Sequence, residues 1–251
     1  MSGHSKWATI KHRKGAADAR RGKLFARLIR QVEVAARAGG GDLDANPTLR
    51  TMYQKARDAS VPLETIERAI KRGTGELEGV TYEPFTYEGY AQAGVALYIE
   101  VLTDNRNRTS SEVRALFRAH GGSLAEPGAV AWQFRRGGVI AVARSVDEEE
   151  LMLAALDAGA DDISDEGDTW RVTCPPGDLA AARAALEAAG IGIESAESTM
   201  LPTQVVPVTS NDAARAVLRL VGELDDHDDV QDVYANFDIP DEILQDLAAS
   251  V

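Results

Sequence analysis

Between Asp18 and Arg37 apolar residues recur at helical spacing. At about 100° per residue, Leu24, Phe25, Leu28, Ile29, Val32, Ala35 and Ala36 fall in one sector. Lys23, Arg27, Arg30 and Arg37 fall in the opposite sector with Arg20 beside them, and Arg21 lies on the apolar side near the start. Asn46-Pro47 predicts a second helix, with Asn as N-cap and Leu49, Met52, Tyr53 and Ala56 as its stripe. Pro62 opens a third, with Leu63, Ile66 and Ile70 inside and Gly73 as its stop. The period then changes. Residues 82–90 are aromatic and strand-like, and 94–103 alternate, with Val95, Leu97, Ile99 and Val101 on one face. The polar run 104–108 leads to Thr109-Ser110-Ser111-Glu112, a capping box for a helix on Val113, Leu116 and Phe117 that ends at Gly121-Gly122. Residues 130–134 read as the next strand.

From Val139 the order is strand (139–143), helix (147–158), a short extended piece near Ile163, strand (170–174), helix (178–189) and strand (193–198). That is the β-α-β-β-α-β signature of a ferredoxin-like unit. An extended segment (205–208), a helix (211–224) and a strand (230–237) are expected to complete the unit begun at Gly94. The predicted fold is α/β (α+β) with three domains. A basic helical domain spans 1–79, and a discontinuous ferredoxin-like α/β domain is formed by 80–136 and 203–251. A second ferredoxin-like α/β domain is inserted at 137–202.

Charge sharpens this division. Residues 1–75 hold 16 Lys and Arg against 7 Asp and Glu, whereas the whole chain holds 27 against 40 and no lysine follows Lys71. A phosphate backbone is drawn to the first part and repelled by most of the remainder. The candidate contact residues are Lys6, Trp7, Lys11, His12, Arg13, Lys14, Arg20, Arg21, Lys23, Arg27 and Arg30. Residues 1–17 carry few apolar groups, so a mobile leading arm is expected in the absence of a partner, with Trp7 stacking on a base or docking on the core. In Asp104-Asn105-Arg106-Asn107-Arg108 two arginines alternate with amides in an acidic half of the chain. Arg106 and Arg108 suit phosphate or base edges, or they pair with local carboxylates while Asp104 and Asn105 shape a turn; the pattern leaves both open.

Other chemistry is thin. No apolar run reaches the roughly 18–20 residues of a membrane helix, and the N-terminal charge is followed by no secretory core, so a cytosolic protein is expected. The single cysteine, Cys174, reads as a small buried residue in a strand. The four histidines show no metal-ligand spacing, and His120 suits a helix C-terminus. The acidic runs at 161–168 and 225–229 match no calcium loop, so they read first as solvated loops and second as an acidic patch for a partner. Neither a metal, a cofactor nor a small-molecule substrate is expected, and an acidic-site metal-dependent enzyme is the weaker alternative.

The residues also carry a resemblance. Gly3-His4-Ser5-Lys6-Trp7, Ile10-Lys11-His12-Arg13-Lys14, Arg21-Gly22-Lys23, Asn46-Pro47, Ile66-Glu67-Arg68-Ala69-Ile70-Lys71, Leu102–Thr109 and Asp228-Asp229-Val230-Gln231 resemble the YebC family. Ala91-Gln92-Ala93-Gly94 departs from the family's usual Gly-Pro-Gly-Gly type turn. The resemblance implies a helical domain followed by two α/β domains, and control of gene expression without catalysis. Many members are labelled probable transcriptional regulators that bind DNA. The mitochondrial relative is a translational activator, and bacterial relatives are linked to ribosomes translating proline-rich segments. The partner is therefore nucleic acid: duplex DNA, or ribosomal RNA, which the Trp-bearing arm favours on physical grounds.

Overall fold

The computed structural model describes residues 17–249 apart from residue 168. Helix α1 (Ala17–Gly39) packs on α2 (Pro47–Asp58) and α3 (Leu63–Gly73). Val32, Leu49, Ala56, Ile66 and Ala69 are fully buried between them. Leu24, two turns into α1, and Leu63, the first residue of α3, both expected on the apolar side, are exposed. Asn46 caps α2 by accepting from the Leu49 N–H, and its amide donates to the carbonyls of Ala35 and Gly40, so one side chain closes two helix ends. The third helix ends at Gly73 as expected, but this glycine is not there for a left-handed turn. A Cβ there would lie 2.5 Å from the Glu33 carbonyl, so its role is close approach of α3 to α1, and the left-handed residue after the helix is Gly75.

The body begins with β1 (Glu83–Tyr90) and β2 (Ala96–Thr103), an antiparallel pair from Glu83↔Thr103 to Tyr90↔Ala96. Helix α4 (Arg106–Ala119) and the short β3 (Ser123–Leu124) follow. The helix starts three residues before the expected capping box: Asn105 is the N-cap, accepting from the Arg108 N–H, and Thr109 is buried in the first turn. Of the strand expected at 130–134 only Phe134 is extended, as the first residue of the next strand. The buried Glu88 carboxylate accepts from the N–H groups of Gly128, Val130 and Ala131, which removes them from any ladder, and a 3-10 turn covers Ala131–Gln133.

Strand β4 (Phe134–Ala143) then runs unbroken through the expected limit at 136/137. With α5 (Glu148–Asp157), β5 (Asp162–Asp165), β6 (Thr169–Cys174), α6 (Leu179–Ala188) and β7 (Ile193–Pro202) it forms an antiparallel sheet ordered β5-β6-β4-β7. That is the ferredoxin-like arrangement, with Leu151, Ala155, Ala182 and Leu186 of the two helices buried. Cys174 is buried in β6, where burial first, and then Asp161 and Asp178, push its thiol up.

The chain returns through β8 (Val206–Pro207), α7 (Asn211–Asp226), β9 (Val230–Ala235), β10 (Phe237–Asp238) and α8 (Asp241–Ala249). The body sheet is ordered β3-β1-β2-β9, and α4 and α7 bury Val113, Phe117, Val217 and Leu220 in the core beneath it. Residues 205–208 therefore do not join the body sheet, as completing the unit begun at Gly94 would require. β8 pairs in parallel with β10 in a separate ribbon, while β1 holds the place beside β2. Pro207 brings no N–H to a ladder, and β1 reaches β2 through a short local turn whereas residues 205–208 lie a hundred residues away. We propose domains at 1–79, at 80–136 with 203–251, and at 137–202, a division supported by the separate buried clusters around Val32, Ile99 and Ile140.

The β1–β2 turn contains Ala93 at φ 58, a left-handed conformation that favours glycine, at the point where the sequence departs from the glycine-rich pattern. Ala93→Gly is expected to stabilise the protein by about 1 kcal/mol, read as a rise in denaturant midpoint at unchanged m-value.

Candidate nucleic-acid interface

The cationic face of α1 meets the end of α7. The last carbonyls of an α-helix lack intrahelical partners and carry the negative end of its dipole. α7 has no basic residue in its own last turn and ends in Asp225 and Asp226. The cations come from α1. Lys23 Nζ lies 2.9 Å from both Oδ1 and the carbonyl oxygen of Asp226. Arg27 donates to the Asp225 carbonyl and reaches its Oδ1 at 3.3 Å. Arg30 donates to the Asp228 carbonyl and stands 5.5 Å from the centre of the Tyr82 ring. The acidic turn at 225–228, expected to be solvated or to await a partner, is thus occupied by the chain's own basic helix.

Behind this turn is a buried carboxylate. Asp229 is 4% exposed, and its Oδ2 accepts from the Thr109 hydroxyl at 2.6 Å, Arg108 Nη2 at 2.7 Å and the Thr103 hydroxyl at 3.1 Å. Burial alone raises its pKa. The hydrogen bonds from Thr109, Arg108 and Thr103, with the Arg108 charge, outweigh burial and hold the carboxyl below its ordinary 3.8. Arg108 also reaches Asp104 at 2.9 Å, the local pairing that the sequence left open. Arg106 remains exposed, its guanidinium 4.1 Å above the Phe85 ring. On the neighbouring strands Glu100 and Asp232 are register partners. Asp232 is pushed up to about 6, first by desolvation and then by Glu100, while Arg27 and Lys55 pull it down.

Three potential metal ligands converge here: Glu112, His227 and Asp229 offer atoms within 4.8 Å of one another. Each is already engaged. His227 Nδ1 accepts from the Asp229 N–H, which leaves Nε2 to donate to Glu112 at 3.0 Å, and the Asp229 carboxylate is filled by Thr103, Thr109 and Arg108. A hydrogen-bonded knot is the chemistry this set supports. His120 caps α4 and lies 3.0 Å from Glu223 of α7.

The candidate residues therefore separate. Lys23, Arg27 and Arg30 lie together on the acidic turn, Arg108 on Asp229, and Arg106 apart from both. Arg21 is exposed, away from the turn's contacts. Lys6, Trp7, Lys11, His12, Arg13 and Lys14 fall outside the described residues, as does the side chain of Arg20. Sequence reading passed over Lys55, Arg57 and Lys71, which are exposed and form no ion pair with another described residue. Their only signal was membership of the basic first 75 residues. No helix among the described residues is long and apolar enough to cross a membrane.

Comparison with known proteins covers nearly the whole chain. The family model for the TACO1/YebC protein N-terminal domain matches residues 5–76, and that for the TACO1/YebC second and third domain matches 82–237. Relatives named "Probable transcriptional regulatory protein" include one from Syntrophobacter fumaroxidans, 53% identical over 99% of this chain and 100% of its own length. Another, from Thermobifida fusca, is 55% identical over 97% of this chain and 98% of its own. The crystal structure of conserved hypothetical protein Aq1575 from Aquifex aeolicus superposes with a TM-score of 0.81 at 46% identity, covering 92% of this chain and 96% of that one.

Asp229 sets a pH dependence. Because its folded pKa is depressed, its stabilisation is complete above the unfolded value near 3.8 and is lost as pH falls through the lower folded value. Asp229→Asn is expected to cost about 1.5–3 kcal/mol at pH 7. Its deficit against wild type should shrink below about pH 4, measured as paired denaturant titrations from pH 7 to pH 2.5.

Proposed function

The chain belongs to the TACO1/YebC family, and from that premise we propose that it is a non-enzymatic regulator of gene expression that grips the phosphate backbone of RNA through its basic first domain. The carrying observation is charge placement: 16 of the chain's 27 Lys and Arg lie in its first 75 residues, beside only 7 of its 40 Asp and Glu. Such segregation draws one end of the molecule to a polyanion and turns the other away.

The first domain supports RNA over sequence reading of duplex DNA. A helix that reads a major groove presents several donors to base edges. The outer face of α3 instead alternates Glu64 and Glu67 with Arg68 and Lys71, and Arg68 is bound to Glu64 at 2.7 Å. Lys11, Arg13, Lys14 and Trp7 suit an irregular strand, where phosphate contacts and aromatic stacking dominate. A ribosome offers such a surface. The second reading, binding to promoter DNA, draws support from the name that curated relatives carry.

Tagged protein sedimented from lysate at rising salt, with and without ribonuclease, tests the reading. Nuclease-sensitive co-sedimentation with ribosomes is expected, and unchanged retention on duplex DNA after ribonuclease would favour the second reading. On purified RNA, alanine at Lys11, Arg13 and Lys14 should reduce the slope of log affinity against log salt by roughly 0.7 per lost contact. Deleting residues 2–17 should leave a cooperatively folded protein that has lost most RNA affinity, because the α1 stripe and both sheets lie outside the deletion. Full-strength binding after the deletion would move the contact surface elsewhere.

A further inference from the structure

We propose that the 225–228 turn is an internal stand-in for the nucleic-acid backbone, covering the cationic face of α1 and giving way to phosphates when the protein binds. The proposal rests on the RNA-binding reading above and adds where one part of the backbone sits and what it must displace. The geometry motivates it directly. Lys23, Arg27 and Arg30 point their donors at oxygens of Asp225, Asp226 and Asp228, two of which also offer carboxylates. A chain of closely spaced anionic oxygens is what a phosphate run presents, and the same donors cannot satisfy both.

The outer part of the contact is the part most readily exchanged. Lys23 and Asp226 are 42% and 74% exposed, and exposed pairs of this kind are individually weak and screened by salt. RNA has a gain that the turn lacks, the release of condensed counterions. The turn itself is fixed to the body by Asp229 and by the His227–Glu112 hydrogen bond, so it does not follow α1 when the helix is taken up by a ligand. Its cost is the uncapping of the α7 C-terminus.

A mutant cycle read by fluorescence anisotropy with a 20-nucleotide uridine RNA at low salt tests the competition. Asp225→Asn with Asp226→Asn should tighten binding about two- to tenfold, and steepen the salt slope by about 0.7 per freed cation. Asp226→Asn alone, at the more exposed position, should give a smaller change in the same direction and serves if the double variant folds poorly. Glu148→Gln with Glu149→Gln, an equal charge change on the exposed start of α5, should leave affinity nearly unaltered. In a Lys23→Ala, Arg27→Ala, Arg30→Ala background the turn variants should have no further effect. An equal gain in both backgrounds, or no gain in either, overturns the competition while leaving RNA binding intact. RNA binding by the turn variants where wild type binds none supports it. Failure of every variant to bind RNA removes both the competition and the reading beneath it.

Discussion

A carboxylate at 4% exposure must be saturated with donors, and meeting that demand for Asp229 ties together stretches of chain more than a hundred residues apart. Thr103 closes β2, and Arg108 and Thr109 lie in the first turn of α4. Leu102 donates its N–H to the Asp229 carbonyl, which fixes the entry to β9 against β2. The two ends of a domain interrupted by a long insertion are therefore pinned at one ion. The insertion is free to be long because closure is enforced here and at Glu88, whose carboxylate holds the segment leading into β4.

The same ion decides where the acidic turn points. With Asp229 held inward and His227 tethered to Glu112, residues 225–228 project from the body toward the first domain. Arg27 and Asp225 are both mostly buried at that meeting, whereas Lys23 and Asp226 are not. The junction therefore grades from a partly desolvated pair that orients the domains to exposed pairs that salt can loosen. Tyr98, Phe134 and Tyr234 pack on the other side of the body sheet, with ring centres 6.1 and 6.2 Å apart. Met200 of β7 packs against that cluster, so the 137–202 stretch meets the body there by apolar contact, whereas α1 meets it largely by charge.

Legibility in the sequence followed the range of the interactions. Helix α1, the Asn46 cap and the ferredoxin-like order of β4 to β7 were readable because each rests on periodicity or on neighbours within a few residues. The same local logic misplaced the start of α4, because Thr109 is consumed by Asp229, a partner 120 residues on, and Asn105 takes the cap. It counted 205–208 into the unit begun at Gly94, whereas the segment, with no N–H at Pro207, pairs outside the body sheet. It read 225–229 as a loop in water, since nothing nearby in sequence reveals that Lys23, Arg27 and Arg30 lie across from it. The alternatives left open for Arg108 are resolved toward a carboxylate by a residue that no local window contains.

Opposite charge in two parts of one chain has a consequence that counting alone conceals. A basic domain joined to an acidic body satisfies part of its own attraction, so the cations offered to a ligand are fewer than those present. In the described first domain, Glu33 is buried and engages Arg37 and Arg72, and the acidic turn engages Lys23, Arg27 and Arg30. Lys55, Arg57 and Lys71 stay exposed without an ion pair among the described residues. Those three lie on α2 and α3, and the engaged cations of the turn lie on α1, so a polyanion that meets the free set first approaches the helical domain from its α2 and α3 side. On α1, Lys23, Arg27 and Arg30 are already held by oxygens of the turn. The charge that the first domain presents to a polyanion is thus set by the acidic body as well as by its own residues, and removing a carboxylate from the 225–228 turn acts on that face as the freeing of a cation does.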